Sequence, residues 1–167
     1  MNYTISKKVT VDLNRQHLWK IISLPGQLNL FHPFCKNNEV LKWDKEKSID
    51  FIEYYNKKVL KRKFFDWEEE VGYKLIINDL KKDIAEVHWN LLHPRSSKID
   101  LSITVQILDT AFKRFPNTIN KIILRTYVLP KLGTYLDSVL CGVKYFSETG
   151  NKVSKNQFGY NSMFSSR

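Results

Sequence analysis

A chain of 167 residues, 43% hydrophobic and 13% aromatic, is long enough to bury a real core as one domain and too apolar to be disordered. It has no run of about 18 uncharged apolar residues, and Met1 to Lys8 hold no apolar signal core, so the sequence predicts a soluble, cytoplasmic protein without an integral membrane segment. The formal charge of +10 would suit nucleic acid, but the densest basic cluster, Lys57 to Lys63, runs into Glu68, Glu69 and Glu70 with no recognised nucleic-acid motif; the charge reads as a solvated basic face.

The first predicted element is a strand in which Tyr3, Ile5, Val9 and Val11 alternate with polar neighbours. Lys7 interrupts the apolar row, which places the strand near a sheet edge. Asn14 is a candidate N-cap for a short helix from Arg15 to Ser23, ended by Leu24-Pro25-Gly26. Gln27 to Phe31 allow one more helical turn before His32-Pro33 breaks it. Strands are then expected at Glu39 to Trp43, Ile49 to Tyr55 and Val59 to Trp67, the last two joined by a tight hairpin in which Asn56 tolerates a positive φ. Val71 to Asn78, Ala85 to Leu91 and Ile99 to Ile107 each alternate greasy and wet residues, with turns at Asp79 to Lys82 and His93 to Lys98. That pattern describes an antiparallel meander with one covered face.

Between Phe112 and Val128, Ile119, Ile122 and Ile123 predict a preliminary helix, or an extension of the next one kinked at Pro130. From Pro130 to Gly150 the residues Leu132, Leu136, Val139, Val143 and Phe146 form one helical stripe, which needs the sheet as partner. Residues 1–150 thus form the predicted domain. Residues 151–167, with Phe158, Tyr160, Met163 and Phe164, are too aromatic for a free tail and are expected to pack on the domain or on a second copy, making a homodimer.

This order of elements resembles the START-like superfamily, also called SRPBCC, which includes the birch-pollen-allergen group and the polyketide cyclase/dehydrase-like families. The likeness is carried by Val9-Thr-Val-Asp with Leu18-Trp19-Lys20-Ile21-Ile22, by Val87-His-Trp-Asn-Leu and by Leu132-Gly-Thr-Tyr-Leu-Asp-Ser-Val-Leu, and spans about residues 1–149. It implies an α+β helix-grip fold in which a curved antiparallel sheet of six or seven strands wraps the last helix around a hydrophobic cavity. Members carry lipids, sterols, hormones or polyketides, catalyse cyclisation or hydroxylation, or bind proteins. His32-Pro33-Phe34-Cys35 and Asn156-Gln157-Phe158-Gly159 look like marks of a subgroup, with no catalytic role to transfer.

On that reading Tyr73, Trp89, Leu101, Ile103, Leu136, Val139 and Val143 face the space between sheet and helix, either lining a ligand cavity or filling the core. Arg62, which alternates with Leu60 and Phe64, would enter the cavity or cover its rim, where an acidic headgroup would find a partner. His32 and Cys35 could meet on a turn, but their apolar neighbours favour burial over a nucleophile. His88 falls on the face opposite Trp89. His17 and His93 have no partners at metal-ligand spacing, and Cys35 and Cys141 have neither metal nor redox spacing. No catalytic residue, metal or cofactor is therefore assigned. The expected function is binding of a hydrophobic or amphipathic small molecule; the alternatives are a cyclase- or dehydratase-like enzyme and a protein-interaction module using the basic hairpin or the aromatic tail.

Overall fold

The computed structural model describes residues 3–92, 97–112 and 117–167. The chain forms β1 (Tyr3–Val11), α1 (Arg15–Ile22), α2 (Leu28–Phe31), β2 (Cys35–Lys42), β3 (Ile49–Tyr54), β4 (Val59–Glu68), β5 (Gly72–Asn78), β6 (Asp83–Leu91), β7 (Ile99–Ile107), α3 (Asn117–Ile123) and α4 (Leu129–Thr149). All seven strands join one antiparallel sheet in the order β1-β7-β6-β5-β4-β3-β2. This is the α+β helix-grip architecture that the resemblance implies. The alternation that predicts the meander is also its burial pattern: Ile99, Leu101, Ile103, Val105 and Ile107 are buried and their neighbours half-exposed.

β1 is an edge strand, and Lys7 shows why its apolar row is broken. The ammonium crosses from the covered face to Asp137 on α4 at 2.8 Å, joining the edge of the sheet to the helix. Asn14 caps α1 by accepting the His17 N–H at 2.9 Å. α2 and α4 touch at Gly142. A Cβ there would lie 2.0 Å from the Phe31 carbonyl oxygen, so only glycine admits this approach. Gly142→Ala should therefore cost about 1–3 kcal/mol through forced separation of the helices, seen as a lower midpoint in thermal denaturation. An unchanged midpoint would mean that the helices part without cost.

Two expectations are revised, and a choice left open between two readings is decided. The first meander strand begins at Cys35, not Glu39, because Cys35 and Asn37 pair with Tyr54 and Glu53 across a bulge that the alternation hides. In the β3–β4 hairpin the positive φ falls on Lys57, not on Asn56. Asn56 acts through its side chain: Oδ1 accepts the Lys58 N–H, and Nδ2 donates to the Met163 carbonyl at 2.9 Å. Of the two readings of Phe112 to Val128, the extension of the long helix is the one the structure has, so that helix does not start at Pro130. It continues from α3 through a wide π-helical turn, Leu124–Val128, into α4. A widened turn accommodates a ring that cannot donate to the helix ladder. The turn expected from His93 to Lys98 and the stretch from Phe112 to Val128 fall partly outside the described residues, and His93 wholly so.

Beyond Gly150, which closes α4 with φ 72°, the chain is tied to the rest by backbone and side-chain bonds. Val153 donates to the Leu30 carbonyl, Asn156 N–H to that of Pro33, and Asn161 Nδ2 to that of Lys131. Phe164 ends buried against Tyr135 and Tyr54, with ring centroids 4.2 and 4.8 Å away. None of the described helices is long and apolar enough to cross a membrane.

Candidate functional site

A cavity of about 220 Å³ lies between the sheet and α4. Its walls come from the covered faces of β3 to β7, from Leu132, Leu136 and Val139 on α4, and from Leu28. Lys58, Ile77, Ile84 and Val128 line it while staying exposed or half-exposed, so its open side is the end of the sheet carrying the β3–β4 and β5–β6 hairpins. The opposite end is plugged with rings. Tyr73 stacks on Trp67 and on Trp89, at centroid distances of 5.1 and 5.9 Å, and donates its hydroxyl to the Ile22 carbonyl.

Apart from Lys58 at the open side, the lining is apolar except along one wall. Arg62 on β4 pairs in register with Asp50 on β3, and the two are 4% and 0% exposed. The guanidinium grips the carboxylate through two bonds: Nε donates to Oδ1 at 2.7 Å and Nη2 to Oδ2. Asn38 on β2 adds a third donor to Oδ2 at 3.0 Å. Burial alone would pull the Arg62 pKa down, and Asp50 more than reverses this, so the guanidinium stays charged. The two charges cancel within the wall.

Beside this pair runs a chain of three aromatic polar groups. His32, in the loop after α2, approaches Tyr135 on α4 with Nε2 2.9 Å from the hydroxyl, and the Tyr135 hydroxyl lies 3.1 Å from that of Tyr54 on β3. Tyr54 and Tyr135 line the cavity; His32 stands behind them. Burial, aided by the positive charge of Arg62, lowers the His32 pKa to about 3 and keeps the ring neutral. Burial also pushes Tyr135 up to about 12 and Tyr54 well above the ordinary tyrosine value. The wall thus holds protonated hydroxyls at any physiological pH.

No family model and no curated protein matches the chain. Solved structures do. The chain is similar to the di-domain ARO/CYC StfQ from the steffimycin biosynthetic pathway, with a TM-score of 0.69, 10% identity, and coverage of 89% of this chain and 51% of that one. It is similar to norcoclaurine synthase of Thalictrum (TM-score 0.65, 10% identity, 90% and 96% covered) and to Ara h 8.0201 (TM-score 0.56, 11% identity, 86% and 98% covered). The chain has the START-like, or SRPBCC, fold.

Within the START-like fold the eight residues singled out from the sequence divide. Arg62, Trp89, Ile103, Leu136 and Val139 border the cavity; Tyr73, Leu101 and Val143 do not. The division follows the register. Tyr73, Trp89 and Ile103 lie in one cross-strand row, and that row is where the cavity ends. Leu101 is one inward position beyond it and Val143 one helical turn beyond Val139, so both are fully buried in the plugged end. His32 and Cys35 do not form a pair of reacting groups. His32 engages Tyr135, while Cys35 lies 3.9 Å from Asn29 Oδ1, and burial pushes its thiol up to about 12. His88 lies on the outer face between Lys74 and Thr104, away from the cavity. Asp50, Tyr54 and Tyr135 are not among the residues singled out from the sequence, although Asp50 shares its inward phase with Ile52 and Tyr54.

Proposed function

We propose that this chain binds a small hydrophobic or amphipathic molecule in the cavity between the sheet and α4. One observation supports the reading above the rest: about 220 Å³ stays unfilled inside an otherwise close-packed core, with apolar walls and a few convergent polar groups. Two structural neighbours agree with it, one solved with a transition state analogue and one from a biosynthetic pathway. Binding here is favoured over acid–base catalysis. A general acid or base works best with a pKa near the operating pH, whereas burial moves His32 far below neutrality and both tyrosines far above it.

Organic extracts of the protein purified under native conditions, analysed by mass spectrometry, should contain a co-purifying small molecule. Ala85 lines the cavity, so Ala85→Leu should fill part of it. The variant is expected to lose the bound molecule while its melting temperature is kept or raised, as cavity filling allows. Extracts that are empty for both proteins would dispose of the carrier reading.

A further inference from the structure

The hydrogen-bond chain beside the cavity has a direction that can be derived atom by atom. The Phe34 backbone N–H approaches His32 Nδ1 at 3.2 Å. A backbone N–H can only donate, so Nδ1 is the accepting nitrogen and the ring proton resides on Nε2. Nε2 must then donate to the Tyr135 oxygen, 2.9 Å away. Tyr135 and Tyr54 have two O–H protons between them and one mutual hydrogen bond at 3.1 Å, which uses one of those protons. Neither hydroxyl has another partner among the described residues, and both rings border the cavity. The pair therefore always holds one O–H more than its neighbours can accept.

From this count we propose that the cavity selects a neutral, carbonyl-bearing ligand, whose oxygen accepts the surplus O–H of the Tyr54–Tyr135 pair, over a carboxylate of the same size. The proposal rests on the cavity being a binding site. The buried charges beside the tyrosine pair, Arg62 and Asp50, already compensate each other in a two-point contact, and Asn38 holds the carboxylate further; Lys58, the other charged lining residue described, stands exposed to water at the open side. A carboxylate seated against the tyrosine pair would give up its water beside Asp50 without gaining an uncommitted buried counter-charge, since Lys58 lies at the wet open side. The burial that opposes ionisation of Tyr135 opposes any other anion at the same place. A carbonyl oxygen needs one donor and brings no charge. The volume sets the scale: about 220 Å³ falls below the roughly 300–1,000 Å³ of drug-sized pockets, which points to a fused bicyclic ring system or a compact chain.

Naphthalene, 2-acetylnaphthalene and 2-naphthoate form a matched set of probes, with Trp89 in the cavity wall as a fluorescent reporter and calorimetry as a second readout. The ketone should bind about tenfold tighter than naphthalene, the effect of one buried hydrogen bond, and tighter than naphthoate. Tyr54→Phe should keep most of the ketone preference, because the Tyr135 O–H is then released. Only Tyr54→Phe combined with Tyr135→Phe should bring the ketone down to the naphthalene level, with naphthalene binding retained as proof of an intact cavity. If the double variant does not fold, the ranking of the three probes on the native protein decides. Naphthoate as the tightest ligand, drawn by Arg62 or Lys58, would overturn the proposal and leave the cavity reading standing. So would a double variant that still prefers the ketone. No binding of any of the three would remove the cavity reading and the proposal together.

Discussion

Arg62→Met should lower the free energy of unfolding by about 3–5 kcal/mol, the usual cost of stranding one member of a buried ion pair. The loss comes less from the missing attraction than from what remains. Asp50, with no exposed surface, would be left without its counter-charge, with Asn38 as its remaining side-chain donor among the described residues. Removing both charges should behave differently. In Arg62→Met combined with Asp50→Leu no buried charge survives, and Asn38 Nδ2 retains the Phe51 carbonyl as acceptor at 3.0 Å. That double variant is expected within about 1 kcal/mol of the parent, or above it, since apolar replacements of buried pairs are often neutral or stabilising. Urea denaturation of the two variants and the parent measures both differences. A single variant that loses less than about 1 kcal/mol would show that water reaches Asp50 and that the wall is not the dry, charge-balanced surface inferred above.

How far the sequence discloses this wall depends on the range of the interactions. Strand alternation and the stripe from Leu132 to Val143 are local patterns. They suffice for the sheet, for the helix it grips and for which face of each is covered. The ion pair was also within reach. Asp50 and Arg62 are the charged residues that break the inward rows of two strands joined by a short turn, and Tyr54 pairing with Lys58 puts 50 opposite 62. Two opposite charges at matching distances from one hairpin are a cross-strand signal. The contact between His32 and Tyr135 had no such signal, because 103 residues separate them and only the docking of α2 on α4 brings them together. Tyr73, Leu101 and Val143 show a further limit. Periodicity assigns a side chain to a face, but whether that stretch of the face is filled depends on the volumes of side chains arriving from elsewhere, here the rings of Trp67, Trp89 and Phe31.

Acid should destabilise this protein earlier than exposed carboxylates alone would, and His32 is the reason. Its folded pKa is about 3, set first by burial and then by Arg62, against about 6.5 in an unfolded chain. Between those values the unfolded state takes a proton that the folded state refuses. The contribution of a neutral His32 to stability is therefore complete above pH 6.5 and declines as pH falls toward 3, by on the order of 5 kcal/mol over the whole window. Geometry supplies the cause. Protonation would place a second N–H on Nδ1, where the Phe34 N–H already points, so an accepted hydrogen bond would become a meeting of two donors. Asp66, Asp79 and Glu148, whose partners hold their pKa values down, add losses of their own at lower pH, and a wild-type profile by itself would mix these effects. His32→Gln separates them. An amide can still donate to Tyr135 but cannot titrate, so the variant should start less stable at pH 7 and show a flatter slope between pH 6.5 and 4. Denaturant midpoints measured at half-unit steps across that range give the comparison. Parallel profiles for the two proteins would show that His32 takes up its proton within the fold, and the assigned direction of the His32, Tyr135 and Tyr54 chain would fall with that result.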